Sequence, residues 1–395
     1  MPSPDPKLRE ENLARVLAAE KAGEGSFDAY PLRLTMELSI DCNLRCPHCE
    51  FTPPRVWANK MSPRPSMELK LPDLENVAEK IFPYIQSLIP SVVGEPMMYS
   101  HWERFLDLLE QYGVYADVCT NGTYLDLPTL DRMGPMLARL NVSMDGASPA
   151  TFNKLRAPAD FDDVVSRLKV LREWRRGLAP HERPEVWIMS VLMTQWIDEL
   201  PDMVRLAAEL EIDGLGCGHL IAMNKFWEES HPSTDPERTD RALREAARVA
   251  RELGVSVSLP VLYSGEDVSF NTDPILPLVH KVPVPAYPED ERPYFCKYMW
   301  RELFVALDGD VSSCCGLGRP VIGNLREDFD LKKHFGSAVT AEMREGMMTG
   351  ALHAACRACP QLAQFGGGTS YGEAKFTDQY GALEGFKELG KNRKG

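Results

Sequence analysis

The sequence predicts an α/β chain: a partial parallel (β/α)6 barrel followed by a smaller cysteine-bearing unit. Three observations predict it. Apolar residues alternate between strand and helix periods six or seven times over residues 30–262, the pattern of βαβ units on a parallel sheet. The alternation stops after Pro260, and seven prolines fall at 260, 274, 277, 283, 285, 288 and 293, which marks a crossing or linker. Five of the ten cysteines then lie in the last hundred residues. A doubly wound open sheet is the structural alternative to the barrel.

Residues 1–29 read as a short charged helix and a Gly-containing linker. A strand is expected over 32–40, followed by a cysteine loop. Helix 74–85, a short strand 91–93 ending at Gly94, helix 101–112, strand 115–119, helix 127–137 and strand 139–143 come next. Phe161, Val164, Val165, Leu168 and Leu171 sit at helical spacing, so 161–174 is a helix. Strands 186–193 and 214–221 flank a helix over 200–210. Asp235 as N-cap and Pro236 in the first turn open a helix running to 253. Strand 255–259 ends the alternation. In the C-terminal unit, 302–307 and 311–315 flank Asp308-Gly309-Asp310, a hairpin signal. A helix over 338–348 and Cys356/Cys359 follow. The organisation is therefore an extension (1–29), a barrel (30–262), a Pro-rich linker (263–293), a second domain (294–365) and a Gly-rich tail (366–395).

Composition narrows the function. The 395 residues are 44% apolar and 26% charged, enough to bury a core. The net charge of −14 argues against a nucleic-acid partner, which calls for a basic field. No uninterrupted run of 18 apolar residues suggests a membrane span. The N-terminus carries no apolar export signal. A cytoplasmic location is expected, where clustered cysteines point to metal or redox chemistry rather than disulfides.

Cys42-Asn-Leu-Arg-Cys46-Pro-His-Cys49 is a Cys-x3-Cys-x2-Cys run directly after the first expected strand. Three thiolates on one loop can hold three irons of a [4Fe–4S] cluster and leave the fourth open to a chelating ligand. Structural zinc is the competing reading, and it wants a fourth protein ligand.

The run resembles the signature of radical S-adenosylmethionine (SAM) enzymes. His48 stands where that family usually has an aromatic residue. Gly94-Glu95-Pro96 resembles the family's GGEP motif, with Val93 in place of the first glycine. Thr120-Asn121-Gly122, Ser143-Met144-Asp145-Gly146 and Lys154-Leu155-Arg156 follow in the family's order. The resemblance implies a cluster held by Cys42, Cys46 and Cys49, with SAM on its open iron. It implies that Glu95 accepts from the SAM amino group, that Ser143 touches the ribose, and that Arg156 reaches the carboxylate or ribose. Asn121 is either a cofactor contact or a turn residue. The implied chemistry is one-electron cleavage of SAM and abstraction of a hydrogen atom from an unactivated C–H bond.

Cys296, Cys314, Cys356 and Cys359 fit either zinc or a fully ligated [4Fe–4S] cluster. Beside the SAM motifs this region resembles the SPASM/twitch subfamily, in its shorter form with one auxiliary cluster. Cys315 competes with Cys314 for one ligand position. Cys119, Cys217 and Cys315 are left over, and free cysteines commonly act as small hydrophobes. Cys217 and His219 alternate on one strand; if their face is the barrel interior, Cys217 is a candidate hydrogen donor and His219 a proton handler. Cys315 is a second candidate donor. Asp145 is either a base or a helix cap.

The resemblance to sugar epimerases and aminocyclitol dehydrogenases leads to an expected small polyol substrate, epimerised or dehydrogenated. The stretch before the barrel is short for a leader-peptide module, which favours that reading. Maturation of a ribosomal peptide or protein side chain is the alternative. A non-catalytic electron carrier would need no SAM motifs. A flavodoxin or ferredoxin reductant is implied.

Overall fold

The computed structural model describes residues 6–49, 68–219, 229–270, 294–296, 298–314, 320–357 and 363–364. Strands β1 (Arg33–Met36), β2 (Ser87–Ile89), β3 (Tyr115–Thr120), β4 (Leu137–Ser143), β5 (Glu185–Leu192), β6 (Gly214–His219) and β7 (Ser256–Ser258) pair in chain order. All seven run parallel. Helices α2 (Leu71–Ile81), α3 (Trp102–Tyr112), α4 (Leu127–Met133), α5 (Pro149–Leu155), α6 (Phe161–Gly177), α7 (Leu200–Glu209) and α8 (Pro236–Leu253) occupy the crossovers. This is the expected partial barrel.

One face of the sheet packs on these helices. Leu140, Val142, Val186, Ile188 and Leu215 are fully buried in one core with Val164 and Leu168 of α6, Met203 and Val204 of α7 and Leu243 of α8. The opposite face carries a polar ladder. Arg33 pairs with Glu302, Asn141 donates to Asp117 (2.6 Å), Arg139 pairs with Glu185 and Trp187 Nε1 donates to Glu185 (2.7 Å).

One expectation is corrected, and two features go beyond those expected. The second strand is Ser87–Ile89, not 91–93: Pro90 ends it, and the chain bends at Val92 and Val93. Residues 149–155 form a helix that the Lys154-Leu155-Arg156 motif had hidden. The C-terminal hairpin does not stand apart. Strands β9 (Glu302–Val305), β10 (Asp310–Ser312) and β11 (Val321–Asn324) extend the same sheet, with β9 parallel to β1. Gly309, at φ 87°, makes the β9–β10 turn, a backbone region that favours glycine.

The N-terminal helix α1 (Pro6–Ala22) is tied into this arrangement. Glu20 and Arg301 form a buried ion pair (2.6 Å), and Arg9 donates to the carbonyls of Tyr112 and Gly113 (both 2.8 Å). Helices α9 (Leu331–Phe335), α10 (Ala338–Thr349) and α11 (Ala354–Arg357) and the strand pair β8 (Tyr294–Phe295) and β12 (Ala363–Gln364) complete the described C-terminal part. Most of the linker, the end of the expected strand 214–221 and the tail lie outside the described residues. No described helix is long and apolar enough to cross a membrane.

Candidate active site

The C-terminal ends of β1–β4 bring the motif residues together. The cysteine loop leaves β1, and Gly94 lies against it. At φ 80°, Gly94 would put a Cβ 2.7 Å from the Asp41 carbonyl oxygen, so the close approach and the dihedral both need glycine. The Glu95 amide donates to that same carbonyl (2.7 Å). The loop and the Glu95 turn are thereby locked to each other.

Glu95 is fully buried. Its carboxylate accepts from Thr120 Oγ1 (2.9 Å) and the Asn121 amide (2.7 Å). Burial raises its carboxyl to about 7, against the donors that pull it down. A buried carboxylate fixed by two donors is a fitting seat for a cation. Asn121 donates to Asn43 Oδ1 (2.7 Å) and lies 3.8 Å from Cys42 Sγ, so it braces the cysteine loop. Its Oδ1 also accepts from the Thr123 amide (3.0 Å), the bond of a turn residue.

Cys46 is buried, while Cys42 and Cys49 are half-buried. Burial pushes the Cys46 thiol up to about 11, opposed by the nearby Arg156 cation, and it raises Cys42 as well. Among the described residues no three Cys, His, Asp or Glu side chains stand at metal-ligating separation.

Asp145 neither caps the following helix nor stands free as a base. Ser148 occupies the N-cap position of α5. The fully buried Asp145 accepts from the Val191 amide (2.8 Å) and pairs with Arg156 Nε (2.6 Å) and His48 Nε2 (3.1 Å). Burial alone would raise its carboxyl, but Arg156 and His48 outweigh burial and hold it at about 2. The cluster loop, through His48, is thus tied to the ends of β4 and α5. The Arg45 amide adds a bond to Ala157 O (2.5 Å). Arg156 thus meets Asp145 as an ion pair at Nε.

Ser143 lies on the ladder face, its Oγ 3.5 Å from Cys119 Sγ. On β6 that face carries Gly214, Gly216 and Gly218. A Cβ at Gly214 would meet Trp187, one at Gly216 would meet Met189, and one at Gly218 meets nothing within 4 Å. Cys217 shares the other face with Leu215, in register with Ser190. The condition set for Cys217 as donor, an inward face, is therefore not met, and Cys119 is the inward thiol. The side chain of His219 lies outside the described residues. The inward polar set Arg33, Asp117, Arg139 and Glu185 was missed from sequence. Its signal was present: Arg139, Asn141 and Ser143 alternate with Leu140 and Val142.

In the C-terminal part, Cys296, Cys314 and Cys356 join one apolar cluster with Met299, Trp300, Met343, Met347 and Leu352. Cys315 and Cys359 lie outside the described residues. Thiols are the donors an iron–sulfur centre takes, and these three share one apolar cluster.

Fold and site together place a cysteine loop and a buried carboxylate at the mouth of a partial parallel barrel. Residues 36–207 match the radical SAM superfamily, and residues 296–360 match SPASM, an iron–sulfur cluster-binding domain. The chain carries a radical SAM domain and a SPASM-type domain. Its cofactors are SAM, the [4Fe–4S] cluster that binds it, and auxiliary iron–sulfur chemistry in the second domain.

The mycofactocin maturase MftC of Mycolicibacterium smegmatis is 24% identical over 225 residues, 54% of this chain and 52% of that protein. A probable GTP 3′,8-cyclase of Thermoplasma volcanium is 24% identical over 182 residues, 45% of this chain and 51% of that protein. The chain thus spans about half the length of these curated relatives. Streptococcus suis SuiB bound to S-adenosylmethionine shares the fold at a TM-score of 0.57 and 16% identity, over 84% of this chain and 71% of that one. SuiB bound to its precursor peptide SuiA matches at 0.56 and 14% identity, over 85% and 71%.

Proposed function

We propose that this protein is a maturase that abstracts a hydrogen atom from a side chain of a peptide or protein. The observation that carries the substrate class is the maturase among its sequence relatives, joined to a likeness to a peptide-bound enzyme that reaches beyond the barrel. This reverses the order expected from sequence, which put a small polyol first.

When bound, cluster and SAM supply one-electron cleavage and hydrogen-atom abstraction. The chain's residues do the rest. Cys42, Cys46 and Cys49 hold the cluster. Glu95 accepts from the SAM amino group, and Asn121 keeps the cysteine loop and the Glu95 turn in register. Arg156, held in its ion pair with Asp145, reaches the SAM carboxylate or ribose, and Ser143 reaches the ribose. Cys296, Cys314, Cys356 and Cys359 hold the auxiliary cluster, with Cys315 as the alternative to Cys314. If hydrogen must be returned to the substrate, Cys119 on the ladder face is the first candidate donor and Cys315 the second, ahead of Cys217 and its proton handler His219. A flavodoxin or ferredoxin serves as reductant.

The test is anaerobic turnover in D2O by reconstituted enzyme with short peptides, nucleotide sugars and aminocyclitols, reading 5′-deoxyadenosine and product mass. Stimulation by peptides, with a changed peptide mass, is expected. A cyclitol or sugar product lighter by two hydrogens, or one carrying a single new deuterium, would restore the polyol reading.

A further inference from the structure

Arg344, on α10, is a buried cation without an anion. Its side chain is fully buried. Nε donates to Met299 O and Nη1 to Gly25 O, both at 2.8 Å. Phe27 and Phe335 cover the guanidinium, each with its ring centroid 4.5 Å away. Nη2 is buried without a partner, and no carboxylate pairs with Arg344 among the described residues. Burial lowers its pKa to about 9, so it stays protonated at neutral pH.

Such a cation is costly unless a countercharge lies near. The neighbouring Arg301 has its own in Glu20, which it engages through Nε and Nη2. The neighbours of Arg344 lead from it to the apolar cluster that contains Cys296, Cys314 and Cys356. Met299, whose carbonyl Arg344 holds, turns back to Cys296 through a 3.3 Å amide bond. Met343, the residue before Arg344, contacts Ser313 (3.2 Å), the residue before Cys314. Met347, three residues on, packs in the cluster that contains Cys356.

We propose that Arg344 is the built-in positive countercharge of the auxiliary iron–sulfur cluster and raises its reduction potential. The inference rests on reading Cys296, Cys314 and Cys356 as ligands of that cluster. A centre ligated by thiolates is anionic, and reduction makes it more so. A fixed cation in a low-dielectric wall favours the reduced form. Arg344 acts as a positioning charge and touches no substrate.

The test uses full-length protein reconstituted with iron and sulfide, with Cys42, Cys46 and Cys49 replaced by alanine so that the auxiliary cluster titrates alone. Arg344→Met and Arg344→Lys are compared with this parent by iron content and a redox titration followed by EPR. Arg344→Met is expected to lower the reduced-to-oxidised ratio at fixed potential at least tenfold, about 59 mV for one electron. Arg344→Lys should stay within half of that shift. Equal midpoints for parent and Met variant at equal iron content would overturn the proposal. If the Met variant loses its iron and the Lys variant keeps it, the charge requirement stands. If both lose it, Arg344 acts through shape and the proposal falls. A parent that binds no iron overturns the ligand reading and the proposal together, while leaving SAM cleavage by the wild-type enzyme to be judged separately.

Discussion

Glu95 shows how one side chain couples binding to pH. Burial raises its carboxyl from 4.5 to about 7, so the folded chain holds the proton longer than the unfolded one. Its contribution to stability is complete below its ordinary value and is lost as pH rises through 7. An ammonium group binds the ionised form. SAM affinity should therefore fall about tenfold for each pH unit below 7, with a proton released on binding. Calorimetry at pH 6 and 8 in buffers of different ionisation enthalpy checks this, and Glu95→Gln should remove both the pH dependence and most of the affinity. Asp145 has the opposite role. Held at about 2 by Arg156 and His48 after outweighing its burial, it is ionised at every working pH. Asp145→Asn leaves Arg156 buried without its countercharge. A loss of about 3–5 kcal/mol is expected in a denaturant melt, with reduced iron retention by the cysteine loop.

The elements explain which parts of this site were legible. Each motif sits where a strand ends, so the order of strands in the sequence became the order of groups around the mouth. The Asp235 cap and the Asp308-Gly309-Asp310 turn came through unchanged, because capping and turn chemistry are local. The second strand was misplaced because Ser91–Val93 is as apolar as Ser87–Ile89, and only tertiary contact separates them. The inward direction of Cys119 rather than Cys217 depends on register across β3–β6, which no local pattern states. The joining of β9 to β1 is a pairing between residues about 270 apart, likewise invisible to periodicity. Gly94 is the element-scale test. A methyl there collides with the backbone of the cysteine loop, so Gly94→Ala should cost about 1–3 kcal/mol and lower iron content. A variant with wild-type iron content and melting temperature would show that the loop can yield.

At the scale of the whole molecule, the SPASM-type region is continuous with the barrel through β9, and α1 is clamped between them by Glu20 and Arg301. Glu20→Ala should remove the carboxylate that Arg301 engages in the buried pair, costing about 3–5 kcal/mol in a denaturant melt. The central claim is that the sheet mouth cleaves SAM on a cluster held by Cys42, Cys46 and Cys49. The most direct measurement is 5′-deoxyadenosine formed from SAM under dithionite, for reconstituted wild-type protein and for a variant with these three cysteines changed to alanine. The account predicts formation by the wild type and none above background by the variant, with the auxiliary iron still bound. Equal formation by both proteins, or none by a wild type carrying full iron, would contradict it.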